Sequence, residues 1–526
     1  MNKPPVSLSL ANPEEAGLTG IQKLSLAMGF AGLFILLLAL FNLNFPFKAW
    51  WLAASICLVL SGTVIYSNSL YKNLPQGIKN NGVFFKSISG RGILAWGLGI
   101  ILTALYVFLY WFPQYLGMGK DGVSNTGLVG FFDPLSNFLN GHQASQWFVY
   151  GTLYTMAILG FGYKFILKYR HNKYQLVRTI SVMFFQLAFA FLIPEILTKL
   201  NPTLPYFSKD IKNLWPLNYY FFEQWHLKGM LEGGNLGMFM LIAGIAMIFI
   251  VTPILTYFYG KRWYCSWVCG CGGLAETAGD PFRQLSNKKL SAWKFERWSV
   301  HLILVFITIT TIAVLYTFLG DDANKGFITR TRFTIGVAVL LSLIIAAIFI
   351  FRRKRLDTDA RYTLASLGII VVGTILLNFA VGRQQIFFAD STLLRSWYGF
   401  FIGSAFSGVI GVGFYPLMGS RVWCRFGCPM AAILGLQQKL FSKFRITTNG
   451  GQCISCGNCS TYCEMGIDVR AYAQKGENIV RASCVGCGIC AAVCPRGVLK
   501  LENVNEKNRL NIDPIIIGKD GISVVA

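Results

Sequence analysis

The chain has 526 residues, of which 54% are hydrophobic and only 13% are charged, and its mean hydropathy is +0.51. This composition excludes an ordinary soluble globular protein and indicates a polytopic membrane protein. The formal net charge is +24, but the basic residues cluster between apolar runs, which is typical of loops at an inner membrane face. The charge therefore predicts no nucleic-acid partner.

Ten apolar runs are long enough to cross a hydrocarbon core about 30 Å thick. They lie near residues 25–43, 50–67, 93–112, 147–166, 179–198, 237–258, 299–319, 333–351, 362–381 and 398–418. The first run follows a leader containing Glu14 and Glu15, so we expect an anchor and not a removed signal peptide. The sequence predicts an all-α membrane protein of about ten transmembrane helices, with the lipid bilayer as a partner.

Basic residues set the expected orientation. They concentrate in alternate loops, near 72–91, 168–173, 261–297 and 352–355, whereas the loops between these carry fewer basic and more aromatic residues. By the positive-inside rule the basic loops are cytoplasmic. We therefore expect a multi-pass protein of a bacterial inner membrane with both termini in the cytoplasm.

Three features of the membrane region could bear on redox chemistry, and each has a plainer interpretation. Residues 121–126 faintly resemble a covalent flavin attachment sequence, but an Asp–Gly turn is favoured. Glu195, near the outer end of a span, could serve quinone chemistry, although simple solvation is favoured. The histidines are His142, His171, His226 and His301. Only His301 begins a span, so a bis-histidine haem chain across the membrane is not expected.

Two similar segments follow predicted spans on the inner side. Residues 262–269 read RWYCSWVC and residues 421–429 read RVWCRFGCP, so each has an Arg before a C-x3-C pair. Four spans separate them, and this even number returns both segments to the same side of the membrane. We expect the C-x3-C cysteines to converge on one site, with Cys271 as a spare or alternative ligand. These cysteines are Cys265, Cys269, Cys424 and Cys428.

Pro429 favours the first turn of a helix that extends to Phe441, which places Cys428 at the N-cap. Free backbone N–H groups at such a position lower a thiol pKa and can donate hydrogen bonds to cluster sulfurs. A metal or iron–sulfur site is the favoured interpretation of these thiols. A dithiol redox pair, a structural contact and acylation stay open as alternatives.

The densest cysteine pattern lies near the C-terminus. Two runs have C-x2-C-x2-C-x3-C spacing, and the second ends at Pro495. This is the bacterial two-cluster ferredoxin pattern, in which the fourth cysteine of each run ligates the other cluster. The predicted ligands are Cys453, Cys456, Cys459 and Cys494 for one [4Fe–4S] cluster, and Cys484, Cys487, Cys490 and Cys463 for the second. A zinc ribbon or a disulfide scaffold fits this spacing poorly.

The sequence predicts four regions. An N-terminal membrane region (1–236) has about five spans, and a membrane core (237–445) contains both C-x3-C motifs. A cytoplasmic ferredoxin domain of α+β type (446–500) follows, and a tail (501–526) is expected to form a short hairpin.

Basic residues form a rim around the ferredoxin cysteines: Lys475, Arg481, Arg496 and Lys500. It suits an acidic flavodoxin or ferredoxin, or a reductase subunit, as redox partner, and it equally suits a face beside anionic lipid.

The C-x3-C motifs and the double ferredoxin motif together resemble the membrane-bound polyferredoxins of the NapH, NosR and CcoG types. The resemblance covers about 237–500 and departs from the family pattern at Gly270 and Glu464, where Pro is usual. It implies electron transfer between a cytoplasmic carrier or quinol pool and a membrane or periplasmic acceptor, within a membrane complex.

Two other functions follow from the same resemblance. One is a CcoG-like copper reductase or assembly factor for a respiratory enzyme, in which the C-x3-C thiols handle the metal. The other is a redox-sensing anchor of a partner reductase. Beyond two [4Fe–4S] clusters, a third iron–sulfur or metal centre at the C-x3-C motifs is expected, whereas a quinone or flavin is a weaker expectation.

Overall fold

The computed structural model describes residues 18–43, 45–72, 90–119, 123–209, 221–320, 328–352, 356, 358–381, 385–504 and, for their backbone, 515–518 and 521–524. Asp121 and Gly122 of the flavin-like stretch lie outside these residues, as do parts of two basic loops, 73–89 and 353–355. The rest of this region is structural: the Asn125 amide donates hydrogen bonds to Asp133 and to the Ala144 carbonyl, both at 2.8 Å.

The membrane region is helical. Its first part contains α1 (Gly20–Leu40), α2 (Lys48–Tyr71), α3 (Ile93–Trp111), α4 (Gly127–Phe131), α5 (Asp133–Asn140), α6 (Gln146–Lys168), α7 (Lys173–Phe184) and α8 (Ile193–Leu200), and a π-helical segment (Phe185–Leu192) joins the last two. The α1 helix begins at a capping box in which Thr19 and Gln22 satisfy each other's backbone N–H groups. This signal lies in the sequence itself.

The second part runs from α9 (Gln224–Glu232) to α21 (Pro429–Phe441). It contains α10 (Gly234–Ala246), α11 (Thr252–Tyr259), α12 (Arg262–Cys265), α13 (Gly270–Thr277), α14 (Leu290–Phe318), α15 (Arg330–Arg352), α16 (Thr358–Leu367), α17 (Gly373–Val381), α18 (Ser391–Trp397), α19 (Tyr415–Met418) and α20 (Val422–Phe426). π-Helical segments Met247–Val251 and Gly368–Val372 join α10 to α11 and α16 to α17, and Tyr398–Ile410 extends α18.

Within the described residues, eight helices are long and apolar enough to cross a membrane. They are Gly20–Leu40, Lys48–Tyr71, Ile93–Trp111, Lys173–Leu200, Gly234–Tyr259, Leu290–Phe318, Arg330–Arg352 and Ala360–Val381. Each matches one of the ten predicted spans. The protein is therefore a multi-pass membrane protein whose apolar helices face lipid.

The other two predicted spans, 147–166 and 398–418, are helical but differ from the eight. The α6 helix carries three tyrosines and two lysines, and ten of its 23 residues are buried, because it packs against α2, α7 and α13. A helix enclosed by other helices needs less apolar surface than one facing lipid. The helix after Tyr398 ends at Ile410 and gives way to a turn before α19. Repeated glycines weaken it and allow close packing.

The C-terminal module packs against α7, α11 and α21. Strand β1 (Phe444–Thr448) pairs antiparallel with β2 (Leu499–Asn503), and between them lie α22 (Asn458–Thr461), α23 (Val469–Lys475) and α24 (Ile489–Ala492). This is the expected ferredoxin-like region with few strands. Its first strand begins before residue 446, the predicted domain boundary. Strands β3 (Ile515–Gly518) and β4 (Gly521–Val524) form the predicted tail hairpin.

Candidate metal centres

The first ferredoxin set is brought together at one cavity. Cys453, Cys456, Cys459 and Cys494 line it, and its lining also includes Arg470 and Arg496 but no carboxylate. Burial raises the pKa of Cys459 to about 11, and the neighbouring thiols of Cys494, Cys456 and Cys453 add to the rise. A cavity lined by four thiols matches the donor chemistry of a [4Fe–4S] cluster.

The second ferredoxin set lies deeper. Burial raises the pKa of Cys490 well above its ordinary value, and the thiols of Cys487, Cys484 and Cys463 add to the rise. The fourth cysteine of each run thus lies beside the first three of the other run, which is the predicted crossed arrangement of the thiols. Left-handed Gly457 and Gly488 turn the chain into α22 and α24, where their cysteines point inward.

The five thiols of the C-x3-C segments also converge. Burial raises the pKa of Cys265 to about 12, where Cys269 and Cys424 add to the rise while Lys261 and Arg421 oppose it. The pKa of Cys428 is raised well above its ordinary value by burial, and Cys424, Cys265 and Cys269 contribute. The predicted N-cap is confirmed, because Cys428 caps α21 and accepts a hydrogen bond from the Ala431 N–H at 3.5 Å.

Cys269 and Cys271 are unequal members of this set. A hydrogen bond from the Cys271 thiol lowers the pKa of Cys269 to about 6 in spite of burial, and the Gly272 N–H and the Arg421 guanidinium help. Donating that hydrogen bond raises the pKa of Cys271. Cys271 is thus the hydrogen-bond donor of the pair, and Cys269 is its acceptor.

Direct contacts join the C-x3-C site to the second ferredoxin set. The Ser266 hydroxyl donates to the Val485 carbonyl at 2.8 Å. The Gln438 amide accepts from the Lys261 N–H and donates to the Cys484 carbonyl, both at 2.8 Å. Cysteines of all three sets contribute to one continuous core: Cys265, Cys459, Cys484 and Cys490 are buried in it, and Cys424, Cys453, Cys463, Cys487 and Cys494 pack against it.

A buried ion-pair network lies beside the same two sites. Arg421 contacts Glu276 and lies 3.0 Å from Glu464, which Arg283 also contacts at 2.7 Å. Arg178 pairs with Glu276. The carboxylate oxygens of Glu276 and Glu464 and the Cys487 sulfur, all possible metal ligands, lie within 4.8 Å of one another. Because both carboxylates are paired with arginines, a bound cation is not expected there.

Sequence reasoning missed this network. The one signal for it was the departure at Glu464, which follows Cys463 directly. Burial disfavours the Glu464 carboxylate, but Arg283, Arg421 and Arg178 outweigh that cost and lower its pKa. Glu195, the candidate for quinone chemistry, accepts a hydrogen bond from the Asn140 amide at 2.6 Å and so has a structural role.

A cavity of about 780 Å³ lies between the membrane helices and the ferredoxin module. Tyr174, Trp263 and Trp267 supply aromatic walls, and Gly488 places it next to Cys487. The Tyr174 hydroxyl donates to the Gly486 carbonyl at 2.9 Å and accepts from the Trp267 indole at 3.2 Å. The size and mixed lining are typical of a small-molecule site.

Comparison with known proteins agrees with these sites. A 4Fe-4S binding domain family matches residues 242–291 and 400–447, which include both C-x3-C motifs, and a 4Fe-4S dicluster domain family matches residues 452–499. The chain is 25% identical over 226 residues to the "Putative electron transport protein YccM" of Escherichia coli (strain K12). That alignment covers 43% of this chain and about half, 47%, of the relative. No solved structure matches the chain.

These matches support a membrane polyferredoxin-like family and iron–sulfur clusters as cofactors. The thiols fit such clusters by position and by donor type, because each ferredoxin set gathers four sulfurs.

Proposed function

We propose that this protein, which resembles membrane polyferredoxins, transfers electrons one at a time through three iron–sulfur centres held by cysteine thiolates. The observation that carries this proposal is the continuous core to which cysteines of all three sets contribute. Iron–sulfur clusters held by cysteine supply one-electron chemistry over a wide range of potentials. The name of the relative from Escherichia coli, an electron transport protein, agrees with this role.

The proposed ligands follow the predicted sets. Cys453, Cys456, Cys459 and Cys494 would hold the first centre, and Cys484, Cys487, Cys490 and Cys463 the second. Cys265, Cys269, Cys424 and Cys428 would hold the third. Each set mixes buried and partly exposed thiols: Cys459, Cys484, Cys490 and Cys265 are buried, and the other proposed ligands are partly exposed.

We infer a cytoplasmic ferredoxin module in a bacterial inner membrane, with both termini inside. The distribution of basic loops supports this orientation. Lys475, Arg496 and Lys500 are exposed on the module, whereas Arg481 stacks on the Trp293 ring at 5.0 Å. The exposed cations near Cys494 suit an acidic flavodoxin or ferredoxin as the electron donor.

Exchange with a quinol pool is a second route, and the 780 Å³ cavity favours it. The cavity combines the interfacial Tyr259 and Trp263 with polar groups of Tyr174 and Arg262, beside the second cysteine set. A planar quinone head could reach it from the bilayer. Substituting Trp267→Ala should then slow reoxidation of the clusters by a soluble quinone and leave reduction by a ferredoxin unchanged.

The alternative of a CcoG-like copper reductase or assembly factor rests on the five converging thiols, because soft thiolates also bind Cu(I). Copper binding by the purified protein that is lost in Cys265→Ser and Cys424→Ser would favour it. Iron and sulfide at that site would exclude it.

The test is anaerobic iron and sulfide quantification with EPR on the wild type and on a Cys265→Ser/Cys424→Ser double variant. Three [4Fe–4S] clusters require about twelve irons and two require about eight. We expect about twelve in the wild type and about eight in the double variant. A folded, colourless and iron-free wild type would contradict the whole proposal, and about eight irons in both would remove only the third centre.

A further inference from the structure

Two buried cations lie at matching places in the repeated C-x3-C segments. Arg421 immediately precedes α20, and Lys261 immediately precedes α12, and both side chains are about 1% exposed. Arg262 is the sequence counterpart of Arg421, but its guanidinium stacks on Phe444 at 4.7 Å and donates to Asn503 at 3.0 Å. The tertiary structure therefore puts Lys261 in the inward position.

Both cations face the C-x3-C site and the second ferredoxin set together. Arg421 donates to the Cys424 sulfur at 3.6 Å and, on its other side, lies 3.0 Å from Glu464, the neighbour of Cys463. The Lys261 N–H donates to the Gln438 amide oxygen at 2.8 Å, and the nitrogen of the same amide donates to the Cys484 carbonyl at 2.8 Å. Lys261 also lines a small cavity with Cys424.

The charges around these cations do not balance. In the network that contains Arg421, four cations face three carboxylates: the cations are Arg178, Arg283, Arg421 and Lys168, and the carboxylates are Glu276, Glu464 and Asp280. Lys261 has no carboxylate partner in the part of the chain that the structure describes, and its ammonium is 3.5 Å from the Ala431 carbonyl. Two buried positive charges therefore have no carboxylate to balance them among the described residues: one in the Arg421 network and one at Lys261.

A buried charge without a counter-ion costs several kcal/mol. Neutral thiols or a disulfide at Cys265 and Cys424 would leave both excess cations uncompensated. Cysteine ligands are thiolates, and a cluster that they hold carries net negative charge. An anionic centre on each side would supply the missing counter-charge.

We propose that Lys261 and Arg421 are positioning residues that stabilise an anionic, thiolate-held centre at the C-x3-C site and raise its reduction potential. Reduction adds one electron and one negative charge to the centre, and the electron comes from the reduced ferredoxin clusters. A fixed positive charge nearby favours the more negative, reduced form. The inference rests on the third centre of the proposed function and names the residues that tune it.

The variants are chosen to separate charge from shape. Lys261→Met keeps the length of the side chain and removes its charge, and Arg421→Gln removes the other charge. Lys261→Arg and Arg421→Lys keep the charge. Arg262→Gln and the double variant Arg425→Gln/Glu296→Gln are matched controls, because Arg262 points away from the thiols and the double variant removes the Arg425–Glu296 pair, at 2.6 Å, without changing the net charge.

Each purified full-length variant is titrated anaerobically by EPR, and its iron content is measured. We expect each neutral variant to lower the equilibrium constant for reduction of the third centre at least tenfold, a shift of about 59 mV for one electron. The charge-keeping variants should restore most of the wild-type potential, and both controls should leave it unchanged.

An unchanged potential in Lys261→Met with full iron content would overturn the proposal, as would an equal shift in the charge-neutral Arg425→Gln/Glu296→Gln control. If Arg421→Gln loses its fold, Lys261→Met still decides the question, since it breaks no ion pair. A wild type with only about eight irons would overturn this proposal and the third centre together. In that case the two ferredoxin signals would still support electron carriage.

Discussion

The Nη1 nitrogen of Arg283 lies 2.7 Å from the Oε2 oxygen of Glu464, and both side chains are fully buried. Arg283 belongs to the membrane core, whereas Glu464 directly follows a ferredoxin cysteine. Since Arg421 also contacts Glu464, one carboxylate joins two arginines of the core to the ferredoxin module. A proline, usual at this place in the resembling family, could not make these contacts.

Replacing Glu464 should therefore loosen the module. Glu464→Ala leaves Arg283 and Arg421 buried without a shared counter-ion, and we expect a loss of roughly 3–5 kcal/mol in the free energy of unfolding. Glu464→Gln should lower the free energy of unfolding by less, because the amide oxygen can still accept hydrogen bonds from the arginines. The measurements are thermal unfolding in detergent and iron content.

The control for this prediction is Glu232→Gln. Glu232 pairs with Lys228 at 3.7 Å, and both side chains are 65% exposed, so its loss should change the free energy of unfolding by less than about 1 kcal/mol. Equal stability of Glu464→Ala and Glu232→Gln would show that the buried network does not hold the module.

Crossed ligation predicts which substitutions act as pairs. Cys456→Ser and Cys494→Ser should each remove the same EPR signal, although 38 residues separate the two cysteines. Cys487→Ser and Cys463→Ser should each remove the other signal. Loss of the Cys487 signal in Cys494→Ser would instead mean that each cysteine run binds its own cluster.

Cys269 and Cys271 should respond differently to the same substitution. Cys269 is the acceptor of the pair, with a pKa of about 6, and Cys271 only donates a hydrogen bond to it. We expect Cys269→Ser to remove the third centre, measured as iron content and EPR signal. Cys271→Ser should keep it, because a serine hydroxyl can donate the same bond. Retention in Cys269→Ser and loss in Cys271→Ser would reverse the assignment.

Asp280 should make stability depend on acid pH. Burial disfavours its carboxylate, but Lys168 and Arg283 outweigh the burial and lower the pKa of Asp280 to about 2. A depressed pKa in the folded state stabilises the protein above the unfolded pKa of about 4, and this contribution is lost as the pH falls through about 2. Asp280→Asn should therefore lower the free energy of unfolding at pH 7 by roughly 2 kcal/mol or more, and Tm should fall accordingly.

The measurement is Tm of the wild type and of Asp280→Asn in detergent from pH 7 down to pH 3. The difference in Tm between the wild type and Asp280→Asn should be constant above about pH 5 and should become smaller below about pH 4. A gap that grows as the pH falls would mean that Asp280 is protonated, and not ionised, in the folded protein.

The sequence by itself determined the features that depend on local spacing. The cysteine runs from Cys453 to Cys494 indicated two clusters, because cluster ligands recur at fixed short intervals. Apolar length predicted ten spans, of which eight are helices long and apolar enough to cross a membrane within the described residues, and Pro429 predicted the N-cap at Cys428. Even the meeting of Cys265 and Cys424 followed from counting spans, which fixes the side of the membrane on which a loop lies.

Only the tertiary structure decided which charges are buried and what they face. Lys261 and Arg262 are adjacent in sequence, yet one points inward toward two cysteine sets and the other outward to Asn503. The partners of Glu464 lie 181 residues away at Arg283 and 43 residues away at Arg421. A side chain's charge is written in the sequence, but the energy of that charge depends on burial and on its neighbours, and packing alone brings those together.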